Sequence, residues 1–175
     1  MKNVKIICII MLLLTLVGCN TLILSNDQIS NYINDKNQIS SSLGETCKVF
    51  PDDIPTSAKN VNYYFEYTQG LLDPEIQFFL EYTLSEEEYY VELNRIKSIK
   101  CNQPIKCDER KYIYPAYVAM ENYDGGFEYV LIDEVNYRFI YIFLKFFSNT
   151  SRMHFDLSYL PKKLNYTNSA EFSIY

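Results

Sequence analysis

The stretch from Tyr137 to Phe147 constrains the fold of this chain more than any other segment. Its side chains alternate with a period of two, and both faces that the alternation defines are apolar. One face carries Ile140, Ile142, Leu144 and Phe146, and the other carries Phe139, Tyr141, Phe143 and Phe147. A strand that is apolar on both faces must be covered on both. We therefore predict that residues 137–147 form a central strand.

Five further segments carry a strand signal. Residues 61–67 and 76–83 alternate between aromatic or aliphatic and polar side chains, and the break at Gly70–Pro74 predicts an antiparallel pair. Turn-forming residues at 124–126 and 133–136 predict a meander in the second half of the chain. The strands expected there are 112–123, 127–132, 137–147 and a short last strand, 153–159, which ends before Pro161.

One helix is predicted between the second and third strands. Ser85 followed by Glu88 forms a capping-box pattern, and the acidic side chains of Glu86 and Glu87 suit the positive end of a helix dipole. These electrostatics explain the three consecutive glutamates without a metal or catalytic role. We expect a helix over 86–99 with Tyr89, Leu93 and Ile96 buried.

These elements predict an α+β fold. The expected architecture is an antiparallel sheet of about six strands, in the order β-β-α-β-β-β-β, with one capped helix packed on one face.

The N-terminus has the layout of a signal peptide. Lys2 and Lys5 precede an apolar run, Ile6–Val17, that is too short to cross about 30 Å of hydrocarbon. The run ends in Leu16-Val17-Gly18-Cys19, which resembles the lipobox of bacterial lipoproteins. The resemblance implies diacylation of the Cys19 sulfur and cleavage just before it. The alternative is a plain signal peptide followed by an incidental cysteine.

The leader sets the expected division of the chain. Residues 1–18 are a signal peptide, 19–48 a lipid anchor and polar tether, 49–161 a single α+β domain and 162–175 a polar C-terminal tail. An alternative for part of the tether is an amphipathic helix carrying Ile29, Tyr32, Ile33 and Ile39. Each buried CH₂ of an acyl chain contributes about 0.8 kcal/mol, so two chains anchor a protein stably.

Charge disfavours a nucleic-acid partner. The full chain has 16 basic and 22 acidic side chains, and a chain beginning at Cys19 loses Lys2 and Lys5 but no acid, which leaves 14 and 22 and a formal charge of −8. Phosphate binding needs a basic patch, and the most basic segment, Lys97–Lys111, also contains acidic residues. We expect the membrane link to be the lipid alone.

Three cysteines are left to explain after Cys8 is removed with the leader and Cys19 is acylated. Cys101 and Cys107 flank a polar turn-forming stretch, which predicts a local disulfide and leaves Cys47 over. Structural zinc, the alternative, normally has four closely spaced ligands, whereas three thiols and a distant His154 are available. We predict no metal and no cofactor.

No catalytic motif stands out. The single histidine, His154, is opposite in phase to its apolar neighbours in the predicted last strand and is expected to face solvent. Phosphate loops, nucleophile elbows and calcium loops have no match in the sequence. Paired carboxylates can act from any part of a chain, so a small envelope hydrolase with His154 as a helper remains the alternative function.

The unusual composition lies in the aromatic residues, with 17 Tyr, 11 Phe and no Trp. Tyrosine suits both half-buried strands and ligand-binding surfaces. Either sheet packing or a dedicated binding face explains this content. The candidate binding surface consists of Tyr63, Tyr67, Tyr117, Tyr129 and Tyr141.

The chain resembles the small uncharacterised lipoproteins of Gram-positive bacteria in three segments, Leu16–Cys19, Leu84–Tyr89 and Tyr114–Ala119, of which the first is the specific one. The expected function is that of a non-enzymatic binding or accessory domain, lipid-anchored at the extracytoplasmic face of the cell membrane. Its expected partners are the membrane, through the lipid, and an envelope protein, peptide or glycan.

Overall fold

The computed structural model describes residues 22–43, 47–69, 74–99, 106–107, 112–123, 126–145, 150–162, 164–165 and 173–174. The helices and strands are, in chain order, β1 (Leu22–Asn26), α1 (Tyr32–Leu43), β2 (Lys59–Gln69), β3 (Glu75–Thr83), α2 (Glu86–Ser98), β4 (Lys106–Cys107), β5 (Ala116–Tyr123), β6 (Gly126–Asp133), β7 (Arg138–Lys145), β8 (Leu164–Asn165) and β9 (Ser173–Ile174). Short 3₁₀ turns occur at Ile29–Asn31, Thr150–Arg152 and Leu157–Tyr159.

Seven of these strands form one antiparallel sheet in the order β1-β2-β3-β7-β6-β5-β4. The predicted α+β class is confirmed. The strand expected to be central, β7, has three strands on each side. The predicted pairing of the first two sequence strands is also confirmed, since β2 and β3 are antiparallel neighbours.

Both faces of the sheet are covered, as the two apolar faces of β7 require. On the helical face, defined here as the side that carries Phe78 and Phe139, Tyr32 of α1 and Tyr89 of α2 stack on these two rings at centroid distances of 5.7 and 5.0 Å. On the opposite side, the loop face, Phe155 stacks on Phe79 at 5.2 Å. The two buried clusters that result share the strands of one sheet.

Helix α2 begins where the capping box predicts. The Ser85 side chain accepts from the Glu88 backbone N–H, and the Glu88 carboxylate accepts in turn from the Ser85 N–H at 3.3 Å. Tyr89 and Ile96 are buried, and basic Arg95 lies in the last turn. The helix ends at Ser98, one residue short of the prediction.

The tether predicted over residues 19–48 requires correction. Within its described part, residues 22–26 form β1, which pairs with β2 from Leu22 opposite Gln69 to Asn26 opposite Phe65. Residues 32–43 form α1, and its buried residues Tyr32 and Ile39 belong to the core of the helical face. Pairing with a distant strand and burial of one helix side make this segment part of the folded domain. The helix considered as an alternative is the element that forms.

The second correction concerns the last predicted strand, 153–159. This segment instead forms a 3₁₀ turn at Leu157–Tyr159, where the Asp156 carboxylate accepts from the Ser158 N–H at 2.8 Å. Phe155 and Leu160 are buried on the loop face. In the predicted tail, β8 and β9 pair as a separate two-stranded sheet.

Candidate functional site

A pocket of about 550 Å³ lies between β1 and α1. Its walls combine apolar side chains with several amide-bearing ones. The lining residues are Ile23, Leu24, Ser25, Asn26, Gln28, Asn31, Asp35, Gln38 and Phe65. All but Phe65 belong to the segment that the sequence assigns to a tether. The pocket therefore exists because β1 and α1 fold onto the edge of the sheet.

Asp35 is the charged group of this pocket, and its side chain is almost entirely buried. Its Oδ2 atom accepts from Tyr63 Oη at 2.6 Å and from Asn26 Nδ2 at 2.9 Å. Burial raises the pKa of the Asp35 carboxyl above its ordinary value, although these hydrogen bonds lower it in part. Both donors are neutral. Among the described residues, the hydrogen bonds to this carboxylate therefore come from no cation.

Asn26 fixes the corner at which β1 ends. Its Oδ1 atom accepts from the Gln28 backbone N–H at 2.8 Å, which is the local geometry that asparagine favours in turns. Its Nδ2 atom donates to Asp35. One side chain thus holds both the turn out of the strand and the carboxylate of α1, and it joins the two walls of the pocket.

The chemistry of the lining suits binding. Amide side chains both donate and accept hydrogen bonds, and Ile23, Leu24 and Phe65 offer apolar contact, whereas the carboxylate of Asp35 already accepts from two groups of the protein. A ligand with hydrogen-bond donors and a small apolar part matches this set. Nowhere in the described residues do three His, Cys, Asp or Glu side chains come together as a metal site would require.

The tyrosines predicted as a binding surface do not form one. Tyr63, Tyr67, Tyr129 and Tyr141 are buried, and Tyr117 is partly buried against the core. The hydroxyls of Tyr63, Tyr129 and Tyr141 bond inside the protein, as when Tyr129 Oη donates to the Tyr159 carbonyl at 3.1 Å. Packing against the sheet, the first of the two interpretations of the aromatic content, explains these five residues, so the candidate binding surface is corrected.

A network of buried hydrogen bonds crosses the helical face. It shows how the hydroxyls of buried tyrosines find partners inside the protein. Tyr82 Oη and Tyr141 Oη lie 2.9 Å apart, and Tyr141 also donates to Glu92 of α2. Arg95 pairs with Glu92 and donates to the Val49 carbonyl at 2.7 Å. Burial raises the pKa of Tyr141 well above its ordinary value, so its hydroxyl stays protonated. This network joins α2 to the sheet.

Contacts on the loop face link His154, through Tyr64, to the carboxylates that pair with Arg152. The His154 ring is exposed and stacks on Tyr64 with centroids 3.7 Å apart. Arg152 pairs with both Glu66 and Glu75.

The carboxylate of Glu66 is already used within the protein. One oxygen accepts from Arg152 and the other from Tyr64 Oη at 3.0 Å, and the side chain is 5% exposed. A paired-carboxylate hydrolase needs two carboxylates that a substrate can reach. Glu75 is the accessible member of this pair, at 37%. The cluster ties the 150–162 segment to β2 and β3.

The cysteine predictions fall largely outside the described residues. Cys19 and Cys101 lie outside them, as does the side chain of Cys107, whose backbone forms part of β4 opposite Tyr117. The lipidation site and the disulfide therefore stay predictions. Cys47 is buried beside the helical-face core.

Comparisons with protein-family models, with curated proteins and with solved structures found no match. None of the helices in the described part of the chain has the length and hydropathy of a membrane span.

The pocket was missed at the sequence level because its residues lie in a polar, asparagine-rich segment. One signal was present: Asp35 shares the spacing of Tyr32 and Ile39, so it lies on the apolar side of α1. A carboxylate within an apolar stripe indicates a polar partner across the interface, and that partner is Tyr63.

Proposed function

We propose that this protein is a lipoprotein of the extracytoplasmic face of the cell membrane, anchored through Cys19, and that its domain binds an envelope component without catalysing a reaction. The observation that carries the proposal is the sequence Leu16-Val17-Gly18-Cys19 at the junction between an apolar run and a polar segment. Two acyl chains on Cys19 hold a folded domain at the membrane without a spanning helix.

The pocket between β1 and α1 supports a binding role. The amide side chains of Gln28, Asn31 and Gln38 in its lining match a ligand that donates hydrogen bonds, because amide oxygens accept them, whereas Asn26 and Asp35 already bond to each other. Peptide amides and sugar hydroxyls are the donors that envelope polymers supply in quantity. A peptide or glycan segment is therefore the ligand class that this pocket fits best.

The use of the polar side chains supports a non-enzymatic role. Glu66 has both carboxylate oxygens engaged within the protein. His154 stacks on Tyr64, and its backbone N–H donates to Gln77 Oε1 at 2.7 Å. These contacts fasten one segment onto the sheet, which is a structural role.

Replacing Cys19 tests the anchor. In a bacterial host with a lipoprotein pathway, the C19A protein should lose labelled palmitate and leave the membrane fraction, while the matched C8A protein, altered in the same leader, keeps both. A C19A protein that still carries label in the membrane fraction contradicts the proposal.

A further inference from the structure

The pocket at the β1–α1 edge of the sheet contains a carboxylate that is only half used. Both hydrogen bonds to Asp35, from Tyr63 at 2.6 Å and from Asn26 at 2.9 Å, end on the same oxygen, Oδ2. A carboxylate oxygen accepts about two hydrogen bonds, so Oδ2 is fully occupied. Within the described residues, Oδ1 accepts none and keeps its whole capacity.

The free oxygen of Asp35 is open to the pocket. The residue is 8% exposed and belongs to the pocket lining. Oδ1 is not one of the fully buried, unsatisfied atoms of the described residues, so it keeps contact with the solvent that fills the pocket. An acceptor that is nearly desolvated and has no donor of its own is a binding position for a ligand's donor.

The charge of this carboxylate is not balanced within the pocket. Apart from Asp35, the described lining residues carry only amides, a hydroxyl and apolar groups. Lys36, the next residue of α1, is engaged elsewhere, because its Nζ atom donates to the Pro51 carbonyl at 2.8 Å and pairs with Asp52 at 3.1 Å. The whole chain has a formal charge of −6. A cationic group on a ligand therefore complements the pocket.

The free oxygen favours an ammonium group over a guanidinium. The fork of an arginine side chain binds a carboxylate through both oxygens, and Oδ2 of Asp35 is already occupied. An ammonium is a compact charge with three donors, so it needs Oδ1 alone and has two donors left for amide oxygens. Asn31 and Gln38 lie four residues before and three residues after Asp35, a spacing that puts them beside it, and both line the pocket.

The apolar part of the lining suits the stem of a lysine side chain. Phe65 lies on the helical face, where its ring contacts Phe78, and Leu24 lies on the same face because it pairs with Tyr67, two residues further along β2. Phe65 and Leu24 both line the pocket. The methylene groups of a lysine pack on such a wall while the charged end reaches polar partners. An amino sugar has no comparable apolar stem.

From these observations we propose that the pocket binds a peptide segment through a lysine-type ammonium group, which Asp35 Oδ1 and the neighbouring amide oxygens accept. This inference rests on the proposed binding role of the pocket. It narrows the ligand class from a peptide or glycan to a peptide that carries a primary amine on an aliphatic stem.

NMR titration of the isotope-labelled, full-length protein in detergent micelles tests the proposal. The probes are acetylated and amidated Ala-X-Ala tripeptides in which X is lysine, norleucine, acetyl-lysine or arginine, so the end group of the side chain is what changes. The wild type should bind the lysine peptide at least about tenfold more tightly than the other three, because only its ammonium fills Oδ1 without needing Oδ2.

Two variants locate this preference. The D35N protein should bind all four peptides equally, since it lacks the charge but still accepts from Tyr63. Asp27 is exposed and adjoins the lining without belonging to it, so the D27N protein should keep the preference within about twofold. Urea denaturation verifies that both variants are folded. The comparison among the peptides needs no variant and stays decisive if D35N does not fold.

Each other outcome overturns the proposal in its own way. Equal affinity for the lysine and norleucine peptides means that the pocket binds peptide without the ammonium, and equal affinity for the arginine peptide contradicts the choice of cation. A preference that D27N loses as D35N does reflects general attraction to an acidic surface. If only a tetramer of N-acetylglucosamine binds, the ligand is a glycan and the proposed function stands. If neither peptide nor glycan binds, the binding role of the pocket fails as well.

Discussion

Two buried aspartates, Asp133 at the end of β6 and Asp35 in α1, have different hydrogen-bond partners and opposite pKa shifts. Asp133, at the turn between β6 and β7, accepts from the Arg138 guanidinium at 2.8 Å and from Asn136 Nδ2 at 2.8 Å. Asp35, beside the pocket, accepts from Tyr63 and Asn26, which are neutral. Burial pushes the pKa of both carboxyls upward; at Asp133 the hydrogen bonds and the charge of Arg138 outweigh it and lower the pKa, whereas at Asp35 burial prevails.

The partners of the two aspartates differ in charge, and this difference shows which of the two regions is better compensated electrostatically. Arg138 also pairs with Glu81 at 2.7 Å and lies over the Tyr114 ring, so it joins β3, β7 and the loop-face cover. The β1–α1 edge instead combines exposed apolar side chains with a buried carboxylate whose donors, Tyr63 and Asn26, are both neutral. Groups that cost stability persist where they serve binding. The Arg138 end is therefore the better-compensated part of the fold, and the β1–α1 edge is where the proposed binding pocket lies.

Removing Arg138 should have the largest effect. The R138M protein leaves the carboxylates of Asp133 and Glu81, 3% and 16% exposed, without their cation. Breaking such a buried pair costs about 3–5 kcal/mol of unfolding free energy, which urea denaturation measures. The matched D52N protein breaks the pair that the fully exposed carboxylate of Asp52 makes with Lys36, and should lose at most about 1 kcal/mol. If both variants lose the same free energy of unfolding, the buried ion pairs of Arg138 are no more important to stability than an exposed one.

Truncating α1 tests whether this helix belongs to the domain. Ile39 is fully buried in the helical-face core, so the I39A protein should lose about 3 kcal/mol through lost burial and the cavity. Ile33 lies on the exposed side of the same helix, and I33A should change stability by no more than about 0.5 kcal/mol. If urea denaturation finds I39A as stable as I33A, residues 32–43 behave as the tether that the sequence suggested.

The two aspartates should give opposite pH dependences. Asp133, with its lowered pKa, contributes stability above the ordinary carboxyl pKa that is lost as pH falls through its folded value. Asp35, with its raised pKa, lowers stability as pH rises through its folded value. D133N should therefore reduce the free energy of unfolding at pH 7, whereas D35N should maintain or raise it and flatten the decline above the ordinary carboxyl range.

Urea denaturation of the wild type, D35N and D133N from pH 3 to pH 8 checks these directions. Asparagine can still accept from Tyr63, so D35N removes the charge while keeping the hydrogen bond. A D35N protein that is less stable than the wild type at pH 7 would show that the buried carboxylate is compensated after all.

The elements predicted correctly are those whose signals are local or strongly periodic. The capping box at Ser85 and Glu88 needs four consecutive residues, and β7 carries apolar side chains on both faces. β1 has neither signal: its leucines are exposed, and it is a strand because it pairs with β2 some forty residues away. The 153–159 segment alternates like a strand, but the Asp156 cap turns it into a 3₁₀ turn.

The candidate site depends on contacts that a sequence does not encode locally. Asp35 and Tyr63 are 28 residues apart, and neither has a neighbour that predicts their meeting. The tyrosines of the sheet suggested a binding surface where there is a core. Tyr82 and Tyr141 are buried because their hydroxyls bond to each other. Composition alone does not separate an aromatic core from an aromatic surface.

The central claim is the proposed lipid anchor at Cys19, and the mass of the mature N-terminal peptide tests it most directly. The protein is extracted from bacterial membranes, digested and measured by mass spectrometry. We predict a peptide that begins at Cys19 and carries a diacylglyceryl group on its sulfur. A mature chain that begins elsewhere, or an unmodified Cys19 thiol in membrane-derived protein, would contradict the claim.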